Sequence, residues 1–207
     1  MKKLSLCFAL ICFISFRVAA DCYMFLGGNY SATLKTEGSP VHAVGVNYSV
    51  LFDWGRFRGL YLGAGVVLGA DNHAPQTPYS FDFSGYSAVV SGLGFRVGYP
   101  FNFDISDGLR LSVIPAIAVD FTSINGKFGD NKVIGNGERV GVALVLSACH
   151  RLGAVYLRYG VEGEACAVSA MTYTYRQECK AYSLPGGDVT AFEEWSLVPF
   201  VSLGWRL

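Results

Sequence analysis

Along most of this chain apolar and polar residues alternate one for one, most plainly in the last thirteen residues. Trp195, Leu197, Pro199, Val201, Leu203, Trp205 and Leu207 fall on one face; Ser196, Val198, Phe200, Ser202, Gly204 and Arg206 fall on the other. A repeat of two is that of a β-strand, whose successive side chains point to opposite faces. The rhythm predicts eight strands, at Cys22–Leu34, Val41–Phe52, Gly59–Ala70, Phe81–Tyr99, Leu109–Phe121, Glu138–Cys149, Ala154–Ala165 and Trp195–Leu207. Long connections (35–40, 71–80, 122–137, 166–190) alternate with short ones (53–56, 100–108, 150–153), as they do in an up-and-down antiparallel barrel.

Each strand has one apolar face. Leu60, Leu62, Ala64, Val66 and Leu68 oppose Tyr61, Gly63, Gly65, Val67 and Gly69; Val140, Val142, Leu144 and Leu146 oppose Arg139, Gly141, Ala143 and Ser147. The first strand, with Gly27-Gly28, leaves its faces unresolved. Tyr86 and Val90 interrupt the fourth strand's pattern and predict a bulge there. Pro115 and Pro199 each remove one ladder donor and are expected at bulges too.

Composition decides what the apolar face meets. After residue 20 no stretch approaches the roughly 20 apolar residues of a membrane-spanning helix, yet only 15% of the chain is charged. An apolar chain without such a helix either buries an ordinary core or turns half of each strand toward lipid. The face opposite the apolar one carries Arg96, Arg110, Arg139, Arg158 and Arg206 with Asp82, Asp120, Glu162, Glu164 and Glu194, five charges of each sign. This places the charges in a lumen and the apolar face in lipid, and speaks against a soluble barrel with an apolar ligand inside. An eight-stranded lumen is just wide enough to be filled by side chains. Those charges predict either an ion-paired plug or a narrow polar channel gated by the pairs.

Residues 1–20 read as a secretory signal peptide: Lys2-Lys3, an apolar run from Leu4 to Phe16, then Val18-Ala19-Ala20 before the cut. Lipid attachment at Cys22 fits less well, because Asp21 precedes it. The domain expected is 21–207. Without Lys2, Lys3 and Arg17, 13 basic residues face 16 acidic ones, a net charge of about −3 that gives no reason to expect nucleic acid. Of six cysteines, Cys22, Cys149, Cys166 and Cys179 survive cleavage. Cys166 and Cys179 are the disulfide candidate, flanking one loop segment in an oxidising compartment; a bond between Cys22 and Cys149 is a weaker expectation. No Cys or His spacing suggests a metal, and no cofactor is expected.

The hairpin rhythm across the mature chain and the closing strand Trp195–Leu207 resemble small bacterial outer-membrane barrels of the OmpA/OmpX and OmpW kind. Leu207 departs from that family's terminal Phe. The resemblance implies outer-membrane lipids around the barrel, recognition of the last strand by the barrel-assembly machinery, and both termini in the periplasm. Passage of small apolar molecules, associated with the OmpW kind, sits badly with a charged lumen, although Val145, Val198 and Phe200 add apolar patches. The leading expectation is a passive, non-enzymatic barrel of pore or small-solute transport character. The second is a surface interaction protein whose loops 71–80, 122–137 and 166–190 bind partners, with Tyr173 and Tyr175 as exposed anchors. An enzyme would need a nucleophile or activated water beside His and a carboxylate. The three histidines, His42, His73 and His150, form no such motif.

Overall fold

The computed structural model describes residues 21–35, 41–55, 58–71, 85–128, 131–177, 180–184 and 194–207. All its regular elements are strands: β1 (Asp21–Lys35), β2 (Val41–Gly55), β3 (Arg58–Asp71), β4 (Ser87–Gly98), β5 (Phe101–Ser106), β6 (Leu109–Phe128), β7 (Asn131–Leu152), β8 (Val155–Gln177), β9 (Lys180–Leu184) and β10 (Glu194–Arg206). Every neighbouring pair is antiparallel. β10 pairs with both β1 and β8, which closes the sheet on itself. Short β5 continues the position of β4 along β6, and β9 pairs only with the end of β8. The wall is therefore an eight-stranded up-and-down barrel.

Closure follows from the sequence at the level of the backbone. With an apolar outer face there is no water to satisfy a free strand edge, so each N–H and C=O must find a neighbouring strand. The outer face is indeed apolar: Val44 (62% exposed), Val66, Val97, Ile117 (61%), Val142 and Leu197 all project from the wall. Tyr99-Pro100 interrupts pairing between β4 and β5, and the Tyr99 N–H donates to Pro115 O at 3.0 Å. Neither proline makes a bulge. Register is the same on both sides of the β4/β5 break, and Pro199 pairs in register with Val161. Toward β1 the ladder skips Tyr30 and Ser31 and resumes in the same register, as the missing proline donor requires. No bulge lies in β4 either: Ala88 and Val90 are in unbroken register, and with Tyr86 just before the strand they are buried in one inner apolar cluster.

The bulge that matters lies in β8. Val140 pairs with Val168 and Gly141 with Cys166, so Ala167 has no opposite number. One extra residue reverses the inward set. Below it the even residues point in, through Arg158, Glu162 and Glu164; above it the odd ones do, through Ser169, Tyr173 and Tyr175. Tyr175 is 1% exposed, and both tyrosines pack inward with Tyr86, Ala88, Val90, Ile124 and Val133. They are not the exposed loop anchors expected from sequence.

Two of the expected loops are largely strand. β6 and β7 run through 122–137 as one hairpin, with Lys127 opposite Lys132, and β8 continues to Gln177 with β9 folded back on it. Region 71–80 lies outside the described residues beyond Asp71. β6, β7 and β8 have 20, 22 and 23 residues, well beyond the roughly 9–11 that cross a bilayer. Their outer face turns polar beyond Phe121, Val140 and Val168, at Ser123, Asn125 and Lys127, at Asn136 and Glu138, and at Thr172. The three strands thus rise past the apolar band as a sheet with an inner core of its own, at the end of the barrel away from Asp21 and Leu207 (the far end).

Replacing the outward, mid-wall Ile117 with Lys should lower unfolding stability in phospholipid vesicles by about 2–4 kcal/mol, while the polar far-end Asn125→Lys changes it by less than about 1. Denaturant titration of the refolded variants checks this, and an unchanged midpoint for I117K would show that the face meets water.

Candidate functional site: the lumen

Three layers fill the barrel's interior. The lowest, at the end bearing Asp21 and Leu207 (the near end), is apolar and aromatic: Tyr23, Phe25, Leu51, Tyr61, Ile114 and Val145 form one buried cluster, with Tyr156 and Phe200 packed on it. Ile114 and Val145 are fully buried. The sequence carries little sign of this layer, because its members are scattered inward residues of β1, β2, β3, β6 and β7, and β1 has no clear apolar face. Below it Arg110 bridges Asp104 at 2.7 Å and Asp53, and its guanidinium lies 5.7 Å from the Tyr23 ring. At the outermost rim Arg206 pairs with Asp21.

Arg158 caps this layer. Its guanidinium lies 5.1–5.4 Å from the ring centres of Tyr61, Phe200 and Phe25, and it donates to Ser147 Oγ (3.2 Å) and Ser49 Oγ (3.1 Å). The residue is 3% exposed, and among the described residues no carboxylate lies within ion-pair distance of it. The faces of three rings supply its electron-rich surroundings instead.

Higher up is a network of ion pairs. Arg96 meets three carboxylates at once: Glu162 (Nε to Oε1, 2.6 Å), Asp120 (Nη1 to Oδ1, 2.8 Å) and Glu164 (Nη2 to Oε2, 2.7 Å). Arg139 stands 3.6 Å from Glu164 and 3.7 Å from Glu194. Gly94 makes room for this: a Cβ there would lie 2.4 Å from Asp120 Oδ1. The five-to-five balance read from sequence is therefore not one-to-one pairing. Arg96 takes three partners, Arg158 takes none among the described residues, Arg206 sits at the rim, and Asp82 lies outside the described residues.

Between the Arg158 floor and the far-end rim is a cavity of about 190 Å³, reaching Thr33, Val41, Asp71, Val90 and Ile124. Arg96, Asp120, Arg139, Glu162, Glu164 and Glu194 lie along its wall.

The cysteines form no disulfide among the described residues. Cys22 belongs to an outward cluster with Val50 and Phe52, whereas Cys149 packs against the inner layer, so the wall separates them. Cys166 is a fully buried thiol beside the β8 bulge; Cys179 lies outside the described residues. His42 and His150 each stack on a neighbouring tyrosine, at ring distances of 5.8 Å, and hydrogen-bond the Tyr30 and Tyr159 hydroxyls at 2.5 and 3.1 Å. Among the described residues these hydroxyls, and no serine or carboxylate, are the side-chain hydrogen-bond partners of the two rings. His73 lies outside the described residues.

Removing Arg96 leaves three buried carboxylates facing one another. Arg96→Met should destabilise the barrel by about 3–5 kcal/mol, and adding Glu164→Gln should recover part of that loss. Urea midpoints of the single and double variants give the answer; a wild-type midpoint for R96M would remove the ion-pair network from the account.

No protein-family model matches the chain, and no curated protein sequence matches it. Solved structures do. A major outer membrane protein from Thermus thermophilus superposes with TM-score 0.59 at 12% identity, covering 89% of this chain and 99% of that one. Ail, the attachment invasion locus protein of Yersinia pestis, in complex with the heparin analogue sucrose octasulfate, gives 0.53 at 8% identity, covering 91% and 99%. Neisserial surface protein A gives 0.52 at 10%, covering 90% and 97%. At such identities the likeness concerns the fold, and the fold is that of the small bacterial outer-membrane barrels.

Proposed function

We propose that this protein is an integral outer-membrane barrel with a sealed lumen, which acts at its outer surface as a binding protein rather than as a passive pore. The observation that carries this is the near-end layer. Six buried apolar and aromatic side chains from five strands pack together beneath Arg158 and fill the lumen there. Opening a conducting path would require unpacking that layer as well as separating Arg96 from three carboxylates. The geometry favours the plug over the gated channel.

In this reading residues 1–20 direct export, the apolar band sits in lipid, and both termini lie in the periplasm. β6, β7 and β8 then carry their polar outer face beyond the membrane. Exposed Lys127 and Lys132 stand opposite one another in register near the tip of this sheet. Ail, which shares the fold, was solved with an anionic heparin analogue, and an anionic surface ligand is the partner class that these lysines fit.

Planar-bilayer recording from the refolded, signal-free protein should give no discrete conductance steps; regular steps would restore the passive pore. Sucrose octasulfate should bind the same preparation in a salt-sensitive way, and Lys127→Glu with Lys132→Glu should weaken it at least about tenfold. Unchanged binding in the double variant would remove the sheet tip as the contact.

A further inference from the structure

On its outer side the wall carries a groove of about 590 Å³, at the far-end edge of the apolar band. The groove lies across two neighbouring rows of outward residues. In one row Val66 pairs with Leu93, Leu93 with Phe121, and Phe121 with Glu138. In the other Ser123 pairs with Asn136, and Asn136 with Thr172. The rows are one pleat apart, about 7 Å along each strand. One part of the groove is therefore hydrocarbon, and the rest presents hydroxyl, amide and carboxylate groups. Glu138 is the only charged residue among those lining it. Its side chain is exposed and forms no ion pair among the described residues. The outward Lys132 of the same strand is six residues away, about 20 Å along the backbone. Thr172 Oγ1 donates to Asn136 O at 3.3 Å, which leaves that hydroxyl free to accept.

We infer that this groove holds a lipid of the surrounding membrane whose headgroup carries a primary ammonium, with the ammonium on Glu138 and an alkyl chain on Phe121, Leu93 and Val66. Charge and hydrogen bonding select the same headgroup. A carboxylate without a counter-charge attracts a cation and repels a purely anionic headgroup. A primary ammonium has three donors and no acceptor, which suits a carboxylate with the Thr172 hydroxyl in the adjoining row. A quaternary ammonium has the charge but no N–H to donate. The Asn136 amide also donates, which suits the phosphate that such a headgroup carries. Position selects a lipid over a soluble amine. A soluble amine would leave Phe121, Leu93 and Val66 uncovered, whereas a lipid covers the apolar and the polar parts together. Hydrocarbon on one side of Glu138 also displaces water and strengthens the charge attraction over that on an open surface.

The probe is phosphatidylethanolamine, added in rising fraction to phosphatidylcholine nanodiscs that hold the refolded protein. Phosphatidylglycerol with the same acyl chains is titrated beside it, so that only the headgroup differs. Two-dimensional amide NMR reads the response. The inference expects saturating shifts at Ser123, Asn136, Glu138 and Thr172 with phosphatidylethanolamine. Half-saturation should need at least about threefold less of it than of phosphatidylglycerol, and Glu138→Gln should remove that preference. It is overturned if the shifts spread evenly over the lipid face or fail to saturate, if phosphatidylglycerol acts equally well, or if E138Q keeps the preference. Should E138Q not fold, the comparison of headgroups on the wild type decides alone. The titration depends neither on conductance nor on sucrose octasulfate binding at the lysines, so the surface-binding reading and this one can fail separately.

Discussion

Everything in this structure depends on closure of the backbone ladder. β10 is hydrogen-bonded to β1 on one side and to β8 on the other, so no strand of the wall is left with an unpaired edge against its apolar surroundings. Closure at eight strands fixes the diameter, and the diameter fixes the interior: there is room for side chains and little else. The lumen becomes a second core, and every charge the alternation sends inward must be satisfied there. Arg96 does this through three carboxylates and Arg158 through three aromatic rings and two serine hydroxyls.

Much of this was legible in the sequence, for a simple reason. Where outer residues are large and apolar and inner ones small or charged, as in Gly59–Ala70 or Trp195–Leu207, a period of two gives both the strand and its orientation. It fails where the inner residues are themselves apolar. Tyr86 and Val90 look like breaks in a pattern because they are large inward residues at the level of an inner hydrophobic cluster. The stretches 122–137 and 166–177 resemble loops because their outer face is polar while Ile124, Val133 and Tyr175 point in, the reverse of the pattern lower down. The reversal tracks the point where lipid gives way to water.

Two features leave no local trace. The bulge at Ala167 adds one residue to β8 only, and nothing in Glu164-Ala-Cys-Ala-Val168 announces it; yet it decides whether Tyr173 and Tyr175 face in or out. The pairing of charges is the other. Alternation assigns Arg158 to the inner face but cannot say that its neighbours are rings, since Phe25, Tyr61 and Phe200 come from β1, β3 and β10. The distinction between a channel lined with charges and a sealed floor with a cavity above it lives entirely in those contacts between distant strands.

The central claim is that the lumen is closed below Arg158 and accessible only from the far end. Side-specific labelling tests it most directly. Val198, on the cavity wall, would be replaced (Val198→Cys) in a background without Cys22, Cys149, Cys166 and Cys179, and the protein placed in cells with an intact outer membrane. A membrane-impermeant thiol reagent added outside should label this position, and the same reagent admitted only to the periplasm should not. Labelling from both sides would mean an open pore, and labelling from neither would mean that the cavity does not reach the surface.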